Sequence, residues 1–395
     1  MQYRRFGRTE LAMPVFSCGG MRYQHKWQDV PWSEIPAAGQ ENLAAIIDRA
    51  LAVGINHIET ARGYGTSEMQ LGRILPHLPR EKMIVQTKVS PQADAMEFRR
   101  TLEQSLGFLN LERVDLLGIH GINTRGLLWD TVRPGGCLDV VREFQRQGRI
   151  GFVGFSTHGP TDVICEAIAT GQFDYVNLHW YYINQENWPA IEAAKAQDMG
   201  VFIISPSDKG GRLYEPPQKL VDLCNPLSPM VFNNLFCLSH PQVHTLSIGA
   251  KRPEDFDEHL KTLPLLAKAA EILPPIVARL EAEAVRCLGA EWWQTWHQGL
   301  PDPHQAPEAI SVKTILWLRN LALAYDLVEY GKARYNLLDN GGHWFPGQRL
   351  NPDSDAFKTL SGLIAESPHR HRIPALLQEA AELLGGTALQ RLSQS

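Results

Sequence analysis

Four ionisable residues, Glu59, Tyr64, Lys88 and His120, close short apolar runs or stand just beyond one. Together they have the chemistry to deliver a proton to a carbonyl oxygen. Reducing a carbonyl takes a hydride at carbon and a proton at oxygen. A tyrosine ionises near pH ~10 when unperturbed, so it is a weak donor at neutral pH unless its surroundings tune it. A lysine ammonium beside it favours the phenolate and lowers its pKa, and a histidine orients the carbonyl oxygen by hydrogen bonding. A carboxylate next to the lysine keeps that side chain charged and in place. Taken singly, each residue is an ordinary polar strand end. Their meaning depends on a fold that brings them to one place.

The chain carries the rhythm of such a fold. Apolar runs at 15–18, 55–59, 83–87, 114–119, 151–155, 175–178, 200–204 and 245–248 read as eight strands. Helical patterns lie between them, among them 42–51, 98–109, 140–147 and 188–197; the first ends before Gly54, a C-cap signal. Eight strands alternating with helices predict a (β/α)8 TIM barrel, an α/β fold whose chemistry sits at the C-terminal ends of its strands. A hairpin precedes it, with 2–6 and 11–14 flanking Gly7-Arg8-Thr9-Glu10. Beyond 265 the rhythm changes to long helical patterns at 266–280 and 315–335, with Pro/Gly/His-rich loops at 299–303 and 341–347. The expected domains are a barrel at 1–284 and an all-helical C-terminal domain at 285–395.

Composition sets the broad class. A chain of 395 residues with 44% hydrophobic and 21% charged residues suits a large globular domain plus a smaller one. A net charge of −5 points to neither a nucleic-acid partner nor an anionic membrane surface. The N-terminus lacks the apolar stretch of a secretory signal, and no apolar run reaches the roughly 18 residues of a membrane span. Cys18, Cys137, Cys165, Cys224, Cys237 and Cys287 are scattered, with no CxxC; reduced thiols in a cytoplasmic protein are expected, without a metal site. The strand ends carry no H-x-H or carboxylate cluster, which argues against a metal-dependent hydrolase on the same barrel.

The motifs themselves carry a resemblance. The segment from Gly54 through Ile58-Glu59-Thr60-Ala61-Arg62-Gly63-Tyr64-Gly65-Thr66-Ser67-Glu68 resembles the aldo/keto reductase signature around a catalytic tyrosine. Thr87-Lys88-Val89 is similar to that family's lysine strand, and the run from Asp115 to His120 to its histidine strand. The likeness is in order and spans roughly 1–265. It implies Tyr64 as proton donor, Lys88 as its cationic neighbour, His120 as the orienting group and Glu59 as partner of Lys88. Glu59 is a departure, since the family usually carries Asp there.

The resemblance also implies a nicotinamide cofactor. Ser205, Lys209, Gly210 and Arg212 lie in a segment similar to the family's pyrophosphate loop, where small residues and cations suit phosphate. Gly249, Lys251 and Arg252 resemble the segment that holds the adenosine phosphate, and two adjacent cations favour NADPH over NADH. Glu258 and His259 stand where the family has Glu-Asn against the adenine. Ser156 and Thr157 resemble its Ser-Asn carboxamide pair. An aromatic from the run His179-Trp180-Tyr181-Tyr182 would cover the nicotinamide ring or else pack between barrel and C-terminal domain. Trp27, Trp32 and Trp129 fall in loops where a pocket for a small-molecule carbonyl substrate would form.

The tail, with Ala324 to Tyr335 and 341–347, resembles a subgroup that appends a helical ferredoxin-like module. That subgroup's clusters need cysteines, and none follows Cys287. His369 and His371 are expected in an exposed polar turn. Two readings follow: an NADPH-dependent carbonyl reductase, or an NADPH-binding sensor with little or no turnover. The Glu59 departure and the cluster-free tail keep the second open.

Overall fold

The computed structural model describes residues 1–340, 346–351, 357, 360 and 362–389. Two short strands come first, β1 (Tyr3–Arg5) and β2 (Ala12–Pro14), paired antiparallel as the expected hairpin. Eight further strands follow: β3 (Phe16–Gly19), β4 (His57–Glu59), β5 (Ile84–Val89), β6 (Val114–His120), β7 (Ile150–Ser156), β8 (Tyr175–Leu178), β9 (Gly200–Ile203) and β10 (Thr245–Gly249). They close into a parallel barrel in sequence order, with β10 paired to both β9 and β3. The eight expected runs are these eight strands, displaced by a residue or two at most of their ends.

The strands are buried almost throughout, which is why they read as continuous apolar runs. Helices on the outer face complete the architecture. Helix Ala95–Leu109 shows how local sequence sets the bounds: the Asp94 carboxylate accepts from Met96 N–H at 2.8 Å, and Asn110 ends the helix at φ 51°. Phe6 and Met13 from the hairpin region join Ile84, Leu116, Tyr175 and Phe202 in one buried cluster, so the hairpin plugs the end of the barrel opposite the strand C-termini. That plug leaves the other mouth for chemistry.

Contacts divide the chain into two units, Met1–Gly210 with Asn233–Ala269, and Gly211–Phe232 with Ala270–Ser395. The expected boundary at 284/285 therefore moves. Helix Ala269–Leu288 runs through it, and Arg279 Nε and Lys219 Nζ tie that helix to 211–232 by bonds to the Leu223 carbonyl (3.1 Å) and Glu283 (2.7 Å). The second unit is helical, as expected. Its pattern at 315–335 is two helices, Val312–Tyr325 and Val328–Tyr335, because Asp326 takes a left-handed conformation at φ 59° between them. His369 corrects another expectation: it is buried against Trp292 with its Nε2 2.8 Å from Thr295 Oγ1, while His371 is exposed. Residues 341–345 of the aromatic-glycine loop lie outside the described residues.

Candidate active site

Glu59 ends β4, Lys88 is the penultimate residue of β5 and His120 ends β6, so three adjacent strands present these side chains at one rim. Tyr64 reaches the same rim from the loop after β4. The structure thus brings together all four residues expected to act jointly. Lys88 and Glu59 form an ion pair with only 2% and 5% of their side chains exposed. Lys88 also donates to the Thr60 carbonyl at 2.7 Å, and its nitrogen lies 4.9 Å from the Tyr64 ring centre. The His120 ring stands edge-on to Tyr64, with centroids 5.7 Å apart and planes at 87°.

Electrostatics act on Tyr64, Lys88 and His120. Burial acts most strongly on Tyr64 and raises its pKa; Lys88 pulls it down, and Glu59 pushes it up again. The net direction is upward, so the expectation that Lys88 would leave the phenol more acidic than usual is corrected: burial outweighs the cation. Tyr64 is a neutral phenol near pH 7, the form that can give a proton. Burial opposes the charge on Lys88, but Glu59 and Tyr64 together hold its pKa above the usual lysine value. Burial, assisted by Lys88, lowers His120 to about 3, so its imidazole is neutral. A neutral imidazole keeps one N–H to offer to an oxygen.

The wall beside Tyr64 is aromatic. Gly65, at φ 54°, lets the 26–27 backbone approach so closely that any Cβ would lie 2.0 Å from the Lys26 carbonyl oxygen. Trp27 thereby sits perpendicular to Tyr64 at 6.5 Å. Trp32 carries the Arg73 guanidinium over its ring, and Trp129 is 62% exposed.

On the cofactor side the expected residues divide. Ser156 lies at the end of β7, its Oγ accepting from Gly121 N–H at 3.1 Å, and pairs in register with Asn177. Asn177 was not among the residues expected from sequence. It is fully buried, with both its amide oxygen and nitrogen unpartnered among the described residues. A polar residue two places after the inward-facing Tyr175 was the available signal. Thr157 instead donates to the Ile122 carbonyl and accepts from Gly159, so its hydroxyl is committed to the loop. Ser205 adopts φ 54° and opens the short helix Pro206–Lys209. The Lys209 ammonium turns onto His179 Nε2 at 3.1 Å, and Arg212 belongs to the second unit and pairs with Glu215.

Further round the rim, Arg22 packs its side chain against Gly249, a loop cation that sequence reasoning passed over. Lys251 and Arg252 are exposed, with Arg252 reaching Asp255 at 3.1 Å. Glu258 pairs with Lys261. His259 is 3% exposed, bonded through Nδ1 to Asn234 and packed edge-on to Phe16. Trp180 is likewise packing, set among Trp188, Phe236 and His240. His179 and Tyr181 are buried and bonded to each other at 2.5 Å.

The closed (β/α)8 barrel defines the class of fold, and comparison with known proteins gives the family. The model of the aldo/keto reductase family matches residues 17–270, and the chain belongs to that family. It is 26% identical over 185 residues to an L-galactose dehydrogenase of Arabidopsis thaliana, covering 43% of this chain and 57% of the relative. It is 25% identical over 177 residues to an NADH-specific methylglyoxal reductase of Escherichia coli K12, covering 40% and 54%. The chain thus spans little more than half the length of these curated relatives. Among solved structures, an aldo-keto reductase from Bacillus halodurans matches with a TM-score of 0.59 at 18% identity, over 71% of this chain and 96% of that one, a likeness of fold. Among the described residues no helix is long and apolar enough to cross a membrane, and no group of three or more metal-ligating side chains occurs.

Proposed function

We propose that this chain is an NADPH-dependent reductase that converts an aldehyde or ketone to an alcohol, with Tyr64 as proton donor. The observation that carries the reading is the buried Lys88–Glu59 pair set against a neutral Tyr64, with neutral His120 at right angles to it. A buried ion pair of this kind adds little to stability by itself. Beside a phenol whose proton must leave, it has a use.

The residues present fit a nicotinamide cofactor. A carboxamide needs both donors and acceptors, and the unpartnered Asn177 amide beside Ser156 offers both. Arg22, Gly249, Lys251 and Arg252 would receive its phosphates, the last two favouring a 2′-phosphate. When bound, the nicotinamide supplies the hydride. The protein's own residues do the rest. His120 donates its N–H to the carbonyl oxygen and fixes the substrate's orientation. Tyr64 passes its phenolic proton to that oxygen as negative charge develops there. Lys88 steadies the resulting phenolate, and Glu59 holds Lys88 charged and in register. Trp27 forms an apolar wall that limits water beside Tyr64.

All six cysteines are free, which suits a reducing compartment such as the cytoplasm. The second unit is read as a helical ferredoxin-like scaffold without cluster ligands. The test is NADPH oxidation with a panel of aldehydes and ketones, run beside Tyr64→Phe. Turnover abolished in the variant supports the reading. Tight NADPH binding with no reduction of any carbonyl would favour a cofactor sensor instead.

A further inference from the structure

Glu59 is longer than the aspartate its family usually places there, and the structure shows where the extra reach goes. One carboxylate oxygen, Oε2, meets Lys88; the other, Oε1, accepts from Ser247 Oγ at 3.0 Å. Ser247 belongs to β10, and β10 is not the neighbour of β4, since β3 lies between them. The contact crosses β3 at Gly19, which pairs in register with Glu59 on one side and Gly249 on the other. A Cβ at Gly19 would stand 2.6 Å from Ser247 Oγ and 3.0 Å from Glu59 Oε1. The passage exists because residue 19 has no side chain.

We infer that Ser247, with Gly19 opening the way, is a positioning residue of the Tyr64 centre, seating one oxygen of Glu59 so that the other is held on Lys88. The inference rests on the carbonyl-reductase reading and extends it. Ser247 and Glu59 are both more than nine-tenths buried, so water does not easily replace the lost partner of either. A hydroxyl donating to a buried carboxylate is a charge-assisted bond, and it removes the rotation that a three-torsion side chain would otherwise keep. An aspartate at 59 would draw the carboxylate back by about one C–C bond, ~1.5 Å, which takes it out of hydrogen-bond range of Ser247. The hydroxyl and the longer acid therefore belong together.

The test uses the full chain with NADPH and an aromatic aldehyde such as 4-nitrobenzaldehyde, comparing Ser247→Ala, Ser247→Thr, Glu59→Asp and the double variant Glu59→Asp/Ser247→Ala. Ser247→Ala is expected to lower kcat about tenfold while the KM values for aldehyde and NADPH stay within about twofold. Ser247→Thr, which keeps the hydroxyl, should recover most of the loss. In the Glu59→Asp background, Ser247→Ala should change kcat by less than about twofold, because the bond it removes is no longer made. An unchanged kcat in Ser247→Ala, or an equal loss in both backgrounds, overturns the inference. If Ser247→Ala does not fold, Gly19→Ala takes its place: it retains the hydroxyl but forces it from Glu59, and must lower kcat in the Glu59 background more than in the Asp background. Absence of turnover in the wild type overturns the reductase reading, and the inference with it. Wild-type turnover with an insensitive Ser247 overturns the inference alone.

Discussion

Lys88 stands with its ammonium 4.9 Å from the centre of the Tyr64 ring, and two of its three N–H donors go to Glu59 and the Thr60 carbonyl. The remaining donor is left for the phenol. Geometry and protonation state both suit the proposed mechanism, in which the tyrosine holds its proton until an acceptor arrives and the cation stabilises what remains. Tyr64→Phe keeps the ring and its packing against His120 and Trp27 but removes that proton. We expect kcat to fall by a factor on the order of 10²–10⁴. NADPH affinity, read by fluorescence titration, should stay near the wild-type value. Turnover that survives in Tyr64→Phe would remove Tyr64 from the mechanism.

The same pair makes a stability prediction. Lys88→Met leaves the Glu59 carboxylate buried with, among the described residues, Ser247 as its remaining side-chain partner, and a broken buried pair costs roughly 3–5 kcal/mol. Replacing both residues, as in Lys88→Met/Glu59→Leu, removes the stranded charge along with the bond. That double variant should regain most of the lost stability in urea unfolding while remaining inactive. If the single and double variants are equally unstable, the pair is not held in a dry environment.

How much of this could be read from the chain follows from what each residue depends on. The barrel was legible because its strands are buried on both faces and so stand out as apolar runs. Glu59, Lys88 and His120 were legible because strand-end position brings them to one rim, and Tyr64 because it stands in the loop just after β4. The net direction of Tyr64's pKa was not, because it depends on how completely the phenol is covered relative to its distance from Lys88. Asn177 and Ser247 were missed for another reason: each is a polar residue inside a buried strand, and the group it faces, Ser156 in register with Asn177 and Glu59 bonded to Ser247, lies on a different strand. The burial of His259 was not legible either, because Asn234 and Phe16, which pack against it, come from other elements. The break at Asp326 needs a left-handed residue that a helical pattern does not reveal.

Buried titratable groups give the protein a defined pH response. Burial pushes Glu68 up to about 7, against the pull of Ser105, Thr87 and Arg62. Its folded pKa lies above the unfolded value near 4.5, so its contribution to stability is present at low pH and is lost as pH rises towards 7. His57 and His120, lowered to about 3 by burial and Lys88, and His244 and His259, lowered to about 4 chiefly by burial, work the other way. Their stability is full above the unfolded histidine pKa of about 6.5 and is lost as pH falls below it. Glu68→Gln separates the two effects. Between pH 5 and 8 the difference in unfolding free energy should move in the variant's favour by about 2–3 kcal/mol. The variant itself should weaken below pH ~6.5 as the buried histidines respond. A difference that does not vary with pH would mean that Glu68 is ionised throughout.

The proposed preference for NADPH rests on two exposed cations, Lys251 and Arg252. The backbone N–H groups of Lys251 and Arg252 both donate to Asp255 Oδ2, at 2.8 and 3.3 Å, which fixes the turn just after β10 and leaves the two side chains at the surface. A 2′-phosphate is a dianion that NADH lacks, so whatever these side chains contribute falls on NADPH alone. Arg252 already has a carboxylate partner in Asp255, so part of its gain is offset by the bond it must share. Lys251→Ala/Arg252→Ala should therefore raise the Kd for NADPH by about tenfold or more, roughly 1.4 kcal/mol, and leave the Kd for NADH within about twofold. The NADPH affinity of the wild type should also fall as salt is raised, and the variant's should fall less, since exposed charge pairs are screened. Titration of both nucleotides at low and high salt decides the matter. Equal weakening towards NADPH and NADH would show that the turn supports the adenosine site mechanically and reads no phosphate.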